Sequence, residues 1–329
     1  MFDPFYPFDW LASQIVTKLF GLSLETHLGA SLHFFLYDVP KVLTLLLVIS
    51  FIVGTVQTFL EPEKVRYWLG GKRTIWGNSL AAGIGIVTPF CSCSAVPLFM
   101  GFLEAGVPLG VTFSYLISAP MVNEVAVILL WGLFGFKVTL IYIGFGVILA
   151  IAAGYTIGLL KLENWVEPFV WELQKTRQNQ ELDQTETEKP LTWKQRIAQG
   201  QYSATEIFKT VSPYVVGGIA IGAAIHGYAP ADMITKWAGN NNPFAVPIAT
   251  LIGVPLYANI AGVLPITEAL VSKGMSLGTV LSFTMAVTAL SLPEIVILRK
   301  VLRPQLLAVF ISLVTVGIIS IGYLFNALL

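Results

Sequence analysis

The chain has 329 residues, of which 55% are hydrophobic and 12% charged, with 19 Lys+Arg against 19 Asp+Glu, and its mean hydropathy is +0.76. A soluble domain carries about twice that charged share, so a water-soluble globular protein is excluded. The balanced charge, with no clustered basic excess, excludes a nucleic-acid surface, and two cysteines one residue apart, Cys91 and Cys93, exclude a disulfide framework.

The opening MFDPFYPFDW has no Lys or Arg before Lys18 and no small-residue cleavage site, so it does not read as a signal peptide. Trp10, Leu11, Ile15 and Leu19 fall at helical spacing. That spacing predicts an interfacial segment over 1–38 lying at headgroup level; a frayed terminus is the alternative.

Apolar runs between charge clusters then give eight segments, at about 39–60, 79–102, 107–132, 137–160, 206–228, 244–270, 276–298 and 304–328. Most are long enough to cross a bilayer as a helix, which takes roughly 20 residues. Residues 161–205 carry KTRQNQ, ETEK and KQR, a polar linker unable to form a core. It divides the chain into a first membrane repeat, 39–160, and a second, 206–329. An offset of 168 aligns Gly85 with Gly253, Pro97 with Pro265, Gly106 with Gly274 and Gly110 with Gly278. Two residues more bring NEVAVIL from Asn123 onto PEIVIL from Pro293, so Glu124 meets Glu294. The expected fold class is therefore an all-α integral membrane protein of two homologous four-segment halves, the symmetry common in secondary transporters.

Lys and Arg concentrate in three loops: after segment one (Lys64, Arg66, Lys72, Arg73), in the central linker, and after segment seven (Arg299, Lys300, Arg303). Eight plain spans would put the first loop and the linker on opposite faces, against the positive-inside rule. Re-entrant or broken helices in segments two and six remove the conflict, invert the halves and make the linker cytoplasmic. Parallel halves of plain spans remain the alternative.

The chemistry concentrates at Thr88-Pro89-Phe90-Cys91-Ser92-Cys93-Ser94-Ala95-Val96-Pro97. Pro89 and Pro97 free backbone carbonyls, tolerated at membrane depth only in protein or against a wet cavity. Thr88, Ser92 and Ser94 add hydroxyls, so this stretch is expected to line a substrate pathway; a proline-kinked helix with no ligand is the competing account. Cys91 and Cys93 have the donor chemistry for a soft metal or metalloid, although buried cysteine is often a simple hydrophobe. The second half carries Asn259 and Ala261 there. Among acids in apolar sequence, which are functional candidates by default, Glu124 stands with Asn123, and Glu294 follows Pro293. Asn123, Glu124, Asn259, Pro293 and Glu294 complete the expected pathway. A proton cycle through Glu124 and a structural hydrogen bond there are both open. His27, His33 and His226 lack ligand spacing, and no phosphate loop, HExxH, nucleophile elbow or zinc-type cysteine pair occurs. No cofactor and no enzymatic activity are expected.

From TPFCSCSAVPLFMGFLEAGVPLG through SAPMVNEVAV, the chain resembles the predicted permease family, which includes the YraQ-like proteins and the ArsP-type exporters of trivalent organoarsenicals. The resemblance covers nearly the whole chain. It implies a multi-pass permease of the cell inner membrane, moving a small-molecule or metalloid substrate, with Cys91 and Cys93 at the family motif. The expected function is transport of a small solute, with efflux of a trivalent organoarsenical or another thiol-reactive species as the leading case. A membrane thiol-redox or maturation protein and a non-transporting scaffold subunit are the other readings.

Overall fold

A computed structural model describes residues 6–24, 26–57, 69, 74–87, 92–122, 124–172, 192–228, 242–254, 256, 263, 266–268, 270–271 and 274–328. Its helices are α1 (Tyr6–Gln14), α2 (His27–Gln57), α3 (Thr74–Val87), α4 (Ser92–Glu104), α5 (Leu109–Met121), α6 (Glu124–Leu159), α7 (Trp193–Tyr228), α8 (Ala245–Gly253), α9 (Leu277–Ala289), α10 (Leu292–Leu298) and α11 (Pro304–Leu328). Apart from a single bridge between Val166 and Leu302, no β-pairing occurs among the described residues. Helices are the form in which an open chain satisfies its backbone in lipid. Among those residues, three helical stretches are long and apolar enough to span a bilayer: His27–Ile52, Ala126–Leu159 and Pro304–Leu328. The second bends at Gly135, whose φ of +81° interrupts α6.

Helix α1, extended by a π-turn over Ile15–Leu19, lies against the start of α2. His33 Nε2 sits 3.0 Å from the Ser13 hydroxyl and 3.3 Å from the Asp9 carboxylate. Tyr6, Trp10, Leu11, Leu19 and Phe20 face outward, as a headgroup-level helix requires.

Two helices start earlier than the apolar runs suggested. α2 begins at His27 rather than near residue 39, and α7 begins inside the polar linker, at Trp193. In α7 the cause is packing. Ala204 is buried, and Gly200 lies so close to Thr55 and the Phe51 carbonyl that a Cβ would collide. α7 thus docks along α2 before its sequence turns apolar.

Helices α3, α4, α5 and α9 have 13 or 14 residues. At ~1.5 Å per residue each covers about 20 Å, short of the roughly 30 Å hydrocarbon core. Contacts fix their directions. The Ser114 hydroxyl lies 2.9 Å from Asn78 Oδ1, and Gly85 packs on Ser118 and Ala119, so α3 and α5 run parallel. Gly110 abuts Gly154 and Gly158, while the Tyr142 hydroxyl donates to the Met121 carbonyl at 3.1 Å, so α5 and the second part of α6 run antiparallel. The return leg between α3 and α5 is α4. It ends in a Schellman turn, with Val107 N–H on the Phe102 carbonyl, Gly106 N–H on the Leu103 carbonyl and Gly106 at φ +79°.

This local geometry recurs 168 positions on. Met275 N–H bonds the Leu270 carbonyl, Gly274 N–H bonds the Val271 carbonyl, and Gly274 has φ +84°. Gly253 packs on Ala286, and Gly278 on Gly322 and Asn326. Accordingly α8 packs on α9 and α11 as α3 packs on α5 and α6. Helix α5 is buried at every residue, and α9 from Gly278 to Ala289. These two form the centre of the bundle and touch one another.

The stretch after α6 meets the loop before α11. Glu167 N–H bonds the Val301 carbonyl at 2.9 Å, and Arg303 N–H bonds the Trp165 carbonyl at 2.8 Å. The Arg299–Glu167 ion pair beside them, at 3.3 Å, is half exposed and contributes little.

A Cβ at Gly110 would lie 2.8 Å from Gly158 Cα, and one at Gly278 2.7 Å from Asn326 N, both backbone atoms. Gly110→Ala and Gly278→Ala should each lower stability by ~1–3 kcal/mol. Gly83→Ala, with nothing within 4 Å of its Cβ, should be neutral. Thermal unfolding followed by size-exclusion chromatography checks all three.

Candidate functional site: two helix breaks at the bundle centre

Segments three and seven, expected as continuous spans, are each interrupted. α5 stops at Met121; Val122 turns out of the helix at φ −124°, ψ 76°, and α6 starts at Glu124. α9 stops at Ala289; Leu290 and Ser291 leave the helix, and α10 starts at Leu292. The local chemistry explains the second break: Ser291 as N-cap, Pro293 at the start and Glu294 in the first turn form a helix-initiation pattern within an apolar run. At the first break Pro120 closes the last turn of α5.

The breaks converge. α5 starts beside Gly158 and α9 beside Asn326, at opposite ends of the antiparallel pair α6 and α11. Tyr142, buried on α6, donates to the Met121 carbonyl and lies beside the Thr288 side chain. One phenol therefore sits between the final turns of both central helices. It also meets a strict need, because the last carbonyls of a helix have no intrahelical donors and lipid supplies none.

Two helix C-termini, each carrying a partial negative charge, thus meet at the centre. The two glutamates follow immediately, each at the start of the next helix, where that helix's own dipole favours a carboxylate. Glu294 is 1% exposed. α10 packs against α4, the helix that opens with Ser92, Cys93 and Ser94. The site therefore suits a cationic or neutral solute better than an anion.

Of the residues expected on the pathway, Thr88, Pro89, Cys91, Asn123 and Asn259 lie outside the described residues. Ser92, Cys93, Ser94 and Pro97 belong to α4, Glu124 opens α6 and Pro293 is in the first turn of α10, each described by its backbone alone. Tyr142, Thr288 and Ser291 had no part in the sequence expectation. Ser291 was legible as a capping residue three positions before Glu294; for Tyr142, one aromatic in a long apolar run, no local signal exists. Asp38, a further buried acid, has the opposite charge of Lys41 one turn away.

The sequence profile of a family described as "Predicted permease", the ArsP type, matches residues 27–327. The chain belongs to this predicted permease family. Over 89% of this chain and 93% of its relative, it is 22% identical to UPF0718 protein MJ0584 of Methanocaldococcus jannaschii. It is 23% identical to UPF0718 protein YraQ of Escherichia coli, over 84% of this chain and 75% of that protein. A Streptococcus mutans protein named as a subunit of a two-component membrane permease complex is 24% identical over 70% of this chain and 75% of its own length. No solved structure matches. Family and apolar helices together make this a multi-pass membrane protein with a transporter's rather than an enzyme's kinship.

Tyr142→Phe leaves the Met121 carbonyl buried without its donor. It should cost ~1–3 kcal/mol, read as a lower unfolding temperature of the purified protein in detergent.

Proposed function

We propose that the chain is an inner-membrane permease built of two inverted repeats, which moves a small solute outward through the gap where its broken helices meet. The observation that carries this is the convergence of the ends of α5 and α9 on Tyr142, which leaves two helix termini and two acidic residues at the bundle centre. Such discontinuous helices at a repeat interface are where secondary transporters bind their cargo.

The inversion is supported by three observations. The Schellman turns at Gly106 and Gly274, the glycine contacts of Gly110 and Gly278, and the packing of Gly85 and Gly253 recur at one spacing. α3 and α4 are too short to cross singly and run in opposite directions, the course of a re-entrant hairpin. The hydrogen bonds between Trp165 and Glu167, early in the linker, and the 299–303 loop support placing these two stretches on one face. Eight plain spans would separate them by three crossings, an odd number; a re-entrant segment six leaves two. The positive-inside rule then makes that face cytoplasmic, with the 61–78 loop beside it.

As cargo we propose a trivalent organoarsenical or a related thiol-reactive species. Cys93 is the second residue of α4, with Cys91 two positions before it in the sequence, and α4 packs on the helix carrying Glu294. Two closely spaced thiols suit transient capture of a soft centre. In cells lacking other arsenic exporters, the protein should confer resistance to methylarsenite, and Cys93→Ser should abolish it; undiminished resistance in that variant would remove the thiols from the mechanism. For topology, single cysteines introduced within 103–107 and within 61–78 should react with a membrane-impermeant maleimide from one face only, the cytoplasmic one. Labelling from opposite faces would refute the hairpin.

A further inference from the structure

Because α2 begins at His27, Asp38 and Lys41 lie inside a helical stretch long and apolar enough to span a bilayer, His27–Ile52. His33 is held at the level of α1 by Ser13 and Asp9, and α1 carries the outward aromatics of a headgroup-level helix. At ~1.5 Å per residue, Asp38 then lies about 8 Å and Lys41 about 12 Å farther along α2. An acid inside a spanning helix is costly and a functional candidate by default.

Asp38 is 4% exposed and shares one face of α2 with the buried Val42, Leu46 and Ser50, at four-residue steps. It therefore faces protein. Its carboxyl makes no hydrogen bond or ion pair with another described residue. Lys41, three residues on, is within reach of it by helical spacing but is directed to Tyr37. The ammonium donates to the Tyr37 hydroxyl at 3.0 Å and stands 4.7 Å from the centre of that ring. Tyr37 in turn stacks on His33, with ring centroids 6.4 Å apart.

Of the elements packed against α2, α1 brings Asp9, bound to His33, and the π-turn brings Lys18, which is exposed. Between the exposed Lys209 and His226, α7 has no Asp, Glu, Lys, Arg or His, only Tyr214; α4 has none before Glu104, only Cys93. Among these groups, Lys41 is the cation within one turn of Asp38.

A buried carboxylate is tolerated when a cation pairs with it, whereas a protonated carboxyl needs no cation. The same residues thus have two arrangements. With a proton on Asp38, Lys41 rests on Tyr37, as in this structure. With the proton gone, the ammonium swings to the carboxylate, and the net charge of the pair falls from one to zero. We propose that Asp38 binds and releases the coupling proton of the transport cycle, and that Lys41 exchanges Tyr37 for Asp38 as the proton leaves. The inference rests on the permease reading and adds the driving ion to it. Helix α2 packs against α4, the helix of Cys93, so the switch is in contact with the element that bears the thiols.

The test is pH-difference infrared spectroscopy of the purified full chain in lipid nanodiscs, with no cargo present. Raising the pH should remove a carboxylic C=O band and change the tyrosine ring modes over the same interval. Asp38→Asn, which mimics the protonated form, should lose both signals. Tyr37→Phe should keep the carboxyl signal and lose the tyrosine one. If Asp38→Asn fails to fold, carboxyl-¹³C labelling of aspartate decides: the band should shift in the wild type and not in Asp38→Glu. An acid that keeps one protonation state throughout gives no such band. That result, a band that survives in Asp38→Asn, or a carboxyl titration with no tyrosine change would each overturn the switch. In proteoliposomes loaded with methylarsenite, an imposed pH gradient should accelerate efflux several-fold in the wild type and leave Asp38→Asn unaffected; equal acceleration in both would overturn the coupling. A protein that moves no methylarsenite at any pH contradicts the cargo reading instead, and the infrared result then decides the switch by itself.

Discussion

A backbone carbonyl released from a helix inside hydrocarbon must find a donor in protein, water or cargo, because lipid offers none. Each unsatisfied group costs several kcal/mol. The central helices of this chain end inside the bundle, α5 at Met121 and α9 at Ala289. Much else in the structure follows from accommodating those ends. Tyr142 closes one of them and lies beside Thr288, and α5 and α9 are buried almost throughout. The long apolar stretches of α2, α6 and α11 are able to span a bilayer.

The small residues serve the same constraint. Gly110 against Gly154 and Gly158, and Gly278 against Gly322 and Asn326, let helix backbones approach to contact distance, which is how helices associate where no hydrophobic effect separates protein from lipid. Close approach makes the core rigid around the breaks, so that their geometry is fixed by packing rather than by the breaks themselves. These contacts recur at one spacing, with Asn326 in place of a second glycine and Phe310 in place of Tyr142.

Much of this was legible from residues alone. The largely apolar helices and the offset that pairs Gly106 with Gly274 correspond to features of the folded chain. The bias of Lys and Arg pointed to a hairpin in segment two, where α3 and α4 are each too short to cross singly. What escaped were the breaks in segments three and seven. Hydropathy sees SAPMVNEVAV and ALSLPEIVI as nearly unbroken apolar sequence, and only the Ser291-x-Pro293-Glu294 pattern announces a new helix. The early start of α7 escaped because Gly200 and Ala204 make it a packed helix through neighbours distant in sequence, which no window on the linker includes. Tyr142 escaped for the same reason: its meaning lies in Met121 and Thr288, one before it in sequence and one far after.

The most direct measurement is a high-resolution cryo-electron reconstruction in lipid nanodiscs, with the membrane boundaries resolved. The ends of α5 and α9 are predicted to lie near the bilayer midplane, on either side of the Tyr142 hydroxyl, with an aqueous opening reaching them from at least one face. Continuous helices through residues 118–126 and 286–294, or ends packed dry at the headgroup level, would contradict the account.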